Sequence, residues 1–131
     1  NDHQAGNASI SLSHQNHTIP TFMGDQLLQT KNPIDLLKID VEGYEVEVLK
    51  GCQEILASLP LLALVIHFHG LPFFGHSIED VFDLLPLQHY QGKMLWNPGQ
   101  GYIRPDQHEI YEFKKSKIPK EGIVNLFLWP D

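Results

Sequence analysis

Asp40 and Glu42 stand two residues apart in the run Lys38-Ile39-Asp40-Val41-Glu42-Gly43-Tyr44-Glu45. A carboxylate so placed can take a proton from a substrate hydroxyl, hold a divalent metal or attract a cationic ligand. If the chain there is extended, alternation puts both acids on one side. Gly43 behind them permits a sharp exit or a close approach of backbone. A plainer reading is that both acids cap a following helix, since acids are common at helix starts. The residues alone do not choose between the two. A second group is His67-Phe68-His69-Gly70. Two histidines and two carboxylates can ligate a divalent metal or work as an acid–base pair. Alternation sets Phe68 opposite both histidines, so for one of them a core position bonded to a backbone carbonyl is the simpler reading. His76, His89 and His108 are scattered and read as surface or loop residues. No Cys–Cys or His-x-x-x-His spacing suggests a structural zinc site.

These groups need elements to position them. Residues 34–41 read as a strand apolar on both faces, as a central parallel strand is. A helix follows over 44–58, where Val48, Leu49, Cys52, Ile55, Leu56 and Leu59 recur at helical spacing. Gly51 inside it costs about 1 kcal/mol relative to Ala, which marks a close contact. Pro60 closes the helix, and 61–68 read as a second buried strand. Strand, helix and strand make a βαβ unit, whose right-handed crossover leaves its strands parallel. Both groups then fall at the carboxyl ends of neighbouring parallel strands, the edge where open α/β sheets bind ligands.

The flanks are plainer. Residues 1–17 are polar loop with one short alternating stretch at 9–13. Residues 17–21 are extended, because Pro20 biases Ile19 toward β. Residues 22–29 form a short helix with Leu27 and Leu28 packing inward, and Asn32-Pro33 breaks the chain. Further on, Ser77 caps a helix with Glu79 and Asp80 in its first turn. Its apolar face is Ile78, Val81, Phe82, Leu84 and Leu85, and Pro86 stops it. Hairpin-like strands come next at 92–96 and 102–103 about a turn at Asn97-Pro98-Gly99. Residues 109–113 pair nearby, and 123–129 form a last strand. There are no repeats and no second domain. The whole of 1–131 reads as a single partial domain: a lead-in over 1–33, a βαβα core over 34–90 and terminal hairpin strands over 91–131.

Composition narrows the function. Hydrophobic residues are 42% and charged residues 19% of the 131, as in a globular chain. A net charge of −7 argues against a nucleic-acid or anionic-membrane partner. The small basic cluster of Lys114, Lys115, Lys117 and Lys120 reads as a solvated loop or strand edge. The single cysteine, Cys52, excludes an intrachain disulfide and suits a small buried apolar role in a reducing, cytoplasmic setting. Two Asn-x-Ser/Thr triplets, at Asn7 and Asn16, are too short a pattern to weigh. No apolar run reaches the roughly 18 residues that span a bilayer.

The stretch 34–51, Ile-Asp-Leu-Leu-Lys-Ile-Asp-Val-Glu-Gly-Tyr-Glu-Val-Glu-Val-Leu-Lys-Gly, resembles the signature of the FkbM family of S-adenosylmethionine-dependent methyltransferases. That signature is a leucine-rich strand, Lys-Ile-Asp-x-Glu-Gly, a glutamate-bearing helix and a closing Leu-x-Gly. Gly6 to Ser9, Ile19-Pro20-Thr21 and Gly24 to Leu28 resemble the family's lead-in. Residues 62–69 resemble the fifth strand of a class I methyltransferase sheet, and 77–87 the helix after it. The resemblance covers the chain to about residue 90 and thins beyond.

It implies an α/β, class I methyltransferase-like (Rossmann-like) doubly wound sheet with S-adenosylmethionine over its carboxyl edge. This chain would be the C-terminal portion, from about the third strand on, with a final antiparallel hairpin region. The implied reaction is methyl transfer to a hydroxyl of a sugar or small natural product. Asp40 would be orienting group or base, with Glu42 and His69 as partners. The family's Gly-rich turn after the first strand and acid after the second, which bind the cofactor, have no counterpart here; Gly99-Gln100-Gly101 lies in a late turn. Many members carry a glutamate where this chain has His67, which leaves the base and a divalent metal site open. The alternatives are a non-catalytic methyltransferase-like module for binding or assembly, and a structural domain whose acids only cap a helix. Half a doubly wound sheet leaves a strand edge unpaired. The isolated chain is therefore expected to self-associate, aggregate or pair with a missing segment.

Overall fold

Five strands form one sheet: β1 (Leu36–Asp40), β2 (Leu61–His67), β3 (Tyr90–Asn97), β4 (Ile110–Glu112) and β5 (Ile123–Pro130), in the spatial order β1-β2-β5-β3-β4. The computed structural model describes residues 20–28, 33–98 and 109–131. β1 and β2 are parallel, with Leu36 opposite Leu61 and Asp40 opposite Val65. The expected crossover is therefore present. β5 runs antiparallel to both β2 and β3, so β1, β2 and β3 all point the same way. β4 pairs antiparallel with the outer side of β3. The last strand does not extend the hairpin outward but lies between β2 and β3. The anticipated turn at 97–99 and strand at 102–103 fall largely outside the described residues, as does most of the lead-in over 1–19.

Register and alternation sort the sheet's side chains into two faces. Ile39, Leu62, Leu64, Ile66, Met94, Val124, Leu126 and Leu128 point to one face and are buried there. They form one core cluster with Val46 and Leu49 of α2 (Glu45–Lys50), Leu56 of α3 (Gln53–Ala57) and Val81 and Phe82 of α4 (Ile78–Asp83). α4 begins with the expected Ser77 cap, and Asp80 returns the bond to complete a capping box.

Three expectations are corrected. The helix over 44–58 is two short helices, α2 and α3, parted at Gly51-Cys52. The cause lies far away in sequence. The Asp25 carboxylate accepts the N–H groups of Glu54 and Ile55 at 3.0 Å each, capping α3 from outside. The Asp25 N–H in turn donates to Gly51 O at 2.9 Å. Gly51 lies against Met23, but a Cβ there would meet Met23 Cα at 3.4 Å, an ordinary contact, so its place in the helix is not set by lack of room. The second correction concerns α1 (Gly24–Leu27), which does not pack through its leucines. Leu27 is 69% exposed and Leu28 is exposed as well. α1 is held by Asp25 and by the fit of Gly24 against the Cys52 sulfur. Cys52 is buried, as expected.

Third, β1 is not buried on both faces. Leu36, Lys38 and Asp40 are exposed, and among the described residues β1 pairs only with β2. No helix among the described residues is long and apolar enough to cross a membrane.

Candidate active site at the carboxyl ends of β1 and β2

β1 ends at Asp40 and β2 at His67. His67 lies two residues beyond the partner of Asp40, so alternation puts both on the same face. The chain does not stay extended past Asp40. Glu42 has φ +52° and Gly43 φ +104°, both in the left-handed region. This turn, and not strand alternation, brings the Glu42 carboxylate back toward the strand ends. It presses against the turn after β2. A Cβ on Gly43 would lie 2.4 Å from the Gly70 carbonyl carbon, and one on Gly70 2.6 Å from Glu42 O. Only a pair of glycines allows the two backbones to come so near.

Into this junction His67 is inserted, 3% exposed. Its Nε2 lies 3.4 Å from Glu42 Oε1 and 3.9 Å from Asp40 Oδ1. Its Nδ1 lies 2.9 Å from Glu45 Oε1. Glu45, the first residue of α2, is 1% exposed. The same Oε1 accepts the Gly43 N–H at 3.0 Å, while Oε2 has no hydrogen-bond partner among the described residues. Nδ1–H therefore donates to an oxygen that is already an acceptor, which sets the tautomer and aims Nε2 at the other two carboxylates. Burial pushes the His67 pKa down from 6.5. The hydrogen bond to Glu45 and the charges of Glu42, Glu45 and Asp40 together outweigh it, and the net shift is upward.

Asp40 and Glu42 remain partly open to solvent, and Lys38 Nζ stands 3.4 Å from Asp40 Oδ2. Neither acid caps α2, whose N-cap, Tyr44, has no side-chain cap bond. The helix-capping reading of the pair is thereby set aside. His69, the expected partner, is exposed and presents its ring edge-on to His67, with centroids 5.9 Å apart. The structure brings His67 into contact with the acids and leaves His69 at the rim. His67 is the buried histidine of the two, but it bonds to a carboxylate and not to a backbone carbonyl. His76 is a loop residue, as expected, but it is half-buried and paired. Its Nε2 lies 2.8 Å from Glu47 Oε1, which also accepts from Lys50 Nζ at 2.7 Å.

Two hollows are lined by chain neighbours of the cluster, though by none of its four residues. One of about 520 Å³ opens beside Val41 and Tyr44 and is walled by Phe22, Met23, Gly51 and Cys52. The other, about 460 Å³, opens beside Phe68 and is lined by Leu71, His76, Phe82, Lys115 and Lys120. Both are within the size range of small-molecule sites.

A family model for the methyltransferase FkbM domain matches residues 3–94. The chain belongs to the FkbM methyltransferase family. Over 70 residues it is 37% identical to the hexuronic acid methyltransferase AglP of Haloferax volcanii, a match covering 52% of this chain and 27% of that protein. The chain thus spans well under half the length of this curated relative. No solved structure matches it. The FkbM match takes in β1, β2 and both glycine turns and ends within β3, leaving β4 and β5 outside.

Glu45 is the site residue that sequence reasoning missed. A glutamate in a first helical turn is ordinary, and only its distance of three residues from Glu42 hinted that it could turn back to the strand ends. The choice between His67 and His69 depended on where β2 stops, which alternation does not reveal.

Proposed function

We propose that this chain forms the acceptor side of an S-adenosylmethionine-dependent O-methyltransferase, with Asp40, Glu42 and His67 receiving the hydroxyl to be methylated. Membership of the FkbM family supports methyl transfer, and likeness to a hexuronic acid methyltransferase supports a sugar as acceptor. The observation that carries the reading is the convergence of Asp40 Oδ1, Glu42 Oε1 and His67 Nε2, all within 4.8 Å of one another, at the carboxyl ends of two parallel strands. The parallel set β1, β2 and β3 and the open edge of β1 suit one half of a doubly wound class I sheet.

The cofactor supplies a methyl group activated on a positive sulfonium. Phe22, Met23, Val41 and Tyr44 would hold its apolar and aromatic parts in the larger hollow, whose lining also includes the Glu47 carboxylate. These side chains would make one wall of its pocket. A segment paired along β1 would make the rest.

The protein's own part is alignment and proton transfer. Asp40 accepts a hydrogen bond from the acceptor hydroxyl, orients its oxygen and takes its proton as the oxygen attacks. His67 stands on one side of Asp40 and Lys38 on the other, Glu42 bears on Asp40 only through His67, and His69 lies at the mouth. The test is methyl transfer by the full-length protein from S-adenosylmethionine to hexuronic acid glycosides. Asp40→Asn should lower kcat by about 100-fold or more with little change in melting temperature. Normal turnover by the variant, or its unfolding, overturns the assignment.

A further inference from the structure

We propose that Asp40, Glu42 and His67 bind a divalent cation through Oδ1, Oε1 and Nε2, with Glu45 as the positioning residue that aims His67. Binding stands on geometry alone. What the cation does there, seating two adjacent oxygens of the acceptor, rests on the reading given above.

Ligand atoms around a six-coordinate cation with bonds of about 2.1 Å lie about 3 Å apart when adjacent. Nε2 is 3.4 Å from the Glu42 oxygen and 3.9 Å from the Asp40 oxygen. These two gaps close by less than an ångström, the two carboxylate oxygens lie within 4.8 Å of each other, and the groups that must move are the partly exposed carboxylates. The imidazole is already fixed. Its Nδ1 is held by a buried carboxylate, which is how a metal-ligating histidine is ordinarily oriented. Its Nε2 has the Glu42 and Asp40 carboxylates as neighbours, 3.4 and 3.9 Å away, in a residue that is almost wholly buried. An imidazole held through Nδ1 and aimed between two acids is set as a metal ligand would be.

Charge agrees with geometry. Two carboxylates and a neutral imidazole balance a doubly positive ion, and oxygen with one imidazole suits manganese or magnesium better than a thiolate-seeking metal. Three protein ligands leave room for waters or for two oxygens of a sugar on the open, carboxylate side. Lys38, 3.4 Å from Asp40 Oδ2, competes with the cation for that carboxylate.

The experiment is titration of the full chain with Mn²⁺, followed by the loss of the free-ion paramagnetic resonance signal and by calorimetry. One ion per chain is expected. Glu42→Gln and Asp40→Asn should each weaken binding by about tenfold or more, and Glu45→Gln by about 10–100-fold. Lys38→Ala should tighten it. Because Glu42 is partly exposed, Glu42→Gln should keep the metal-free melting temperature, separating lost binding from lost fold. No uptake of Mn²⁺, or uptake unchanged in Glu42→Gln and Asp40→Asn, overturns the site. Methyl transfer to hexuronic acid glycosides, assayed in parallel with and without chelator, keeps the two ideas apart. Transfer without Mn²⁺ uptake removes the cation and leaves the acceptor reading. Uptake without transfer to any hydroxyl does the reverse.

Discussion

Both faces of the sheet carry large apolar residues, and these have opposite fates. On one, Leu62, Leu64, Ile66 and Leu126 lie beneath α2, α3 and α4 and are almost fully buried. On the other, Leu36 is 56%, Leu61 47% and Phe127 44% exposed. Leu36 sits directly opposite Leu61, and Ala63 opposite Phe127, so these residues form one continuous apolar surface. Side-chain chemistry alone does not place a leucine inside. What decides is whether another element lies over it. The cluster of Asp40 and His67 belongs to the uncovered face, at its carboxyl edge.

The strongest way to break this comparison is to truncate one leucine on each face. Leu64→Ala should cost about 2–5 kcal/mol in urea unfolding, through lost burial and the cavity left behind. Leu61→Ala should cost under about 1 kcal/mol, since the residue is already 47% exposed. Equal losses would mean that the second face is covered in solution. A self-associated chain would give that result, and its mass by light scattering would reveal it.

A smaller effect tests what holds α1 to the covered side. Asp25→Ala removes the carboxylate that caps α3 and should cost about 1 kcal/mol. Leu27→Ala, two residues on, should cost nearly nothing. The reverse ranking would restore the picture of a helix packed through its leucines.

The smallest effect is electrostatic. The Lys50 hydrogen bond, and then that of His76, hold the Glu47 carboxyl below its ordinary 4.5. A pKa lowered by folding contributes stability that is present above 4.5 and is lost as pH falls through the folded-state value. The melting-temperature advantage of the native chain over Glu47→Gln should therefore shrink on acidification below that point. The pair is near the surface, so the advantage is modest and weakens with salt.

Much of this molecule is legible one residue at a time. The apolar run at 36–40, the Ser77 cap and the run at 61–67 each declare their element through local pattern. So does the pair Asp40 and Glu42, whose place at a strand end follows from the residues around it. What stays hidden depends on contacts distant in sequence. Val48 to Leu59 keep one helical period across Gly51, yet Asp25 starts a separate helix within it. The exposure of Leu36 depends on what lies beside β1, about which its own sequence is silent. Glu45 looks like any acid at a helix start until His67 arrives from 22 residues away. Fold class is a property of periods, whereas a site is a property of meetings.

The position of β5 bears on how the chain is made. Among the described residues, β2 and β3 are joined in the sheet through β5, which follows both of them in the chain. A ribosome releases residues one after another, at roughly 5–20 per second. Until residue 130 has emerged, the β1–β2 crossover and the β3–β4 hairpin are two separate leaves with exposed edges. Loss of a few residues around 123–130 would leave them so permanently. The central seam of this sheet can close only once β5 has been made.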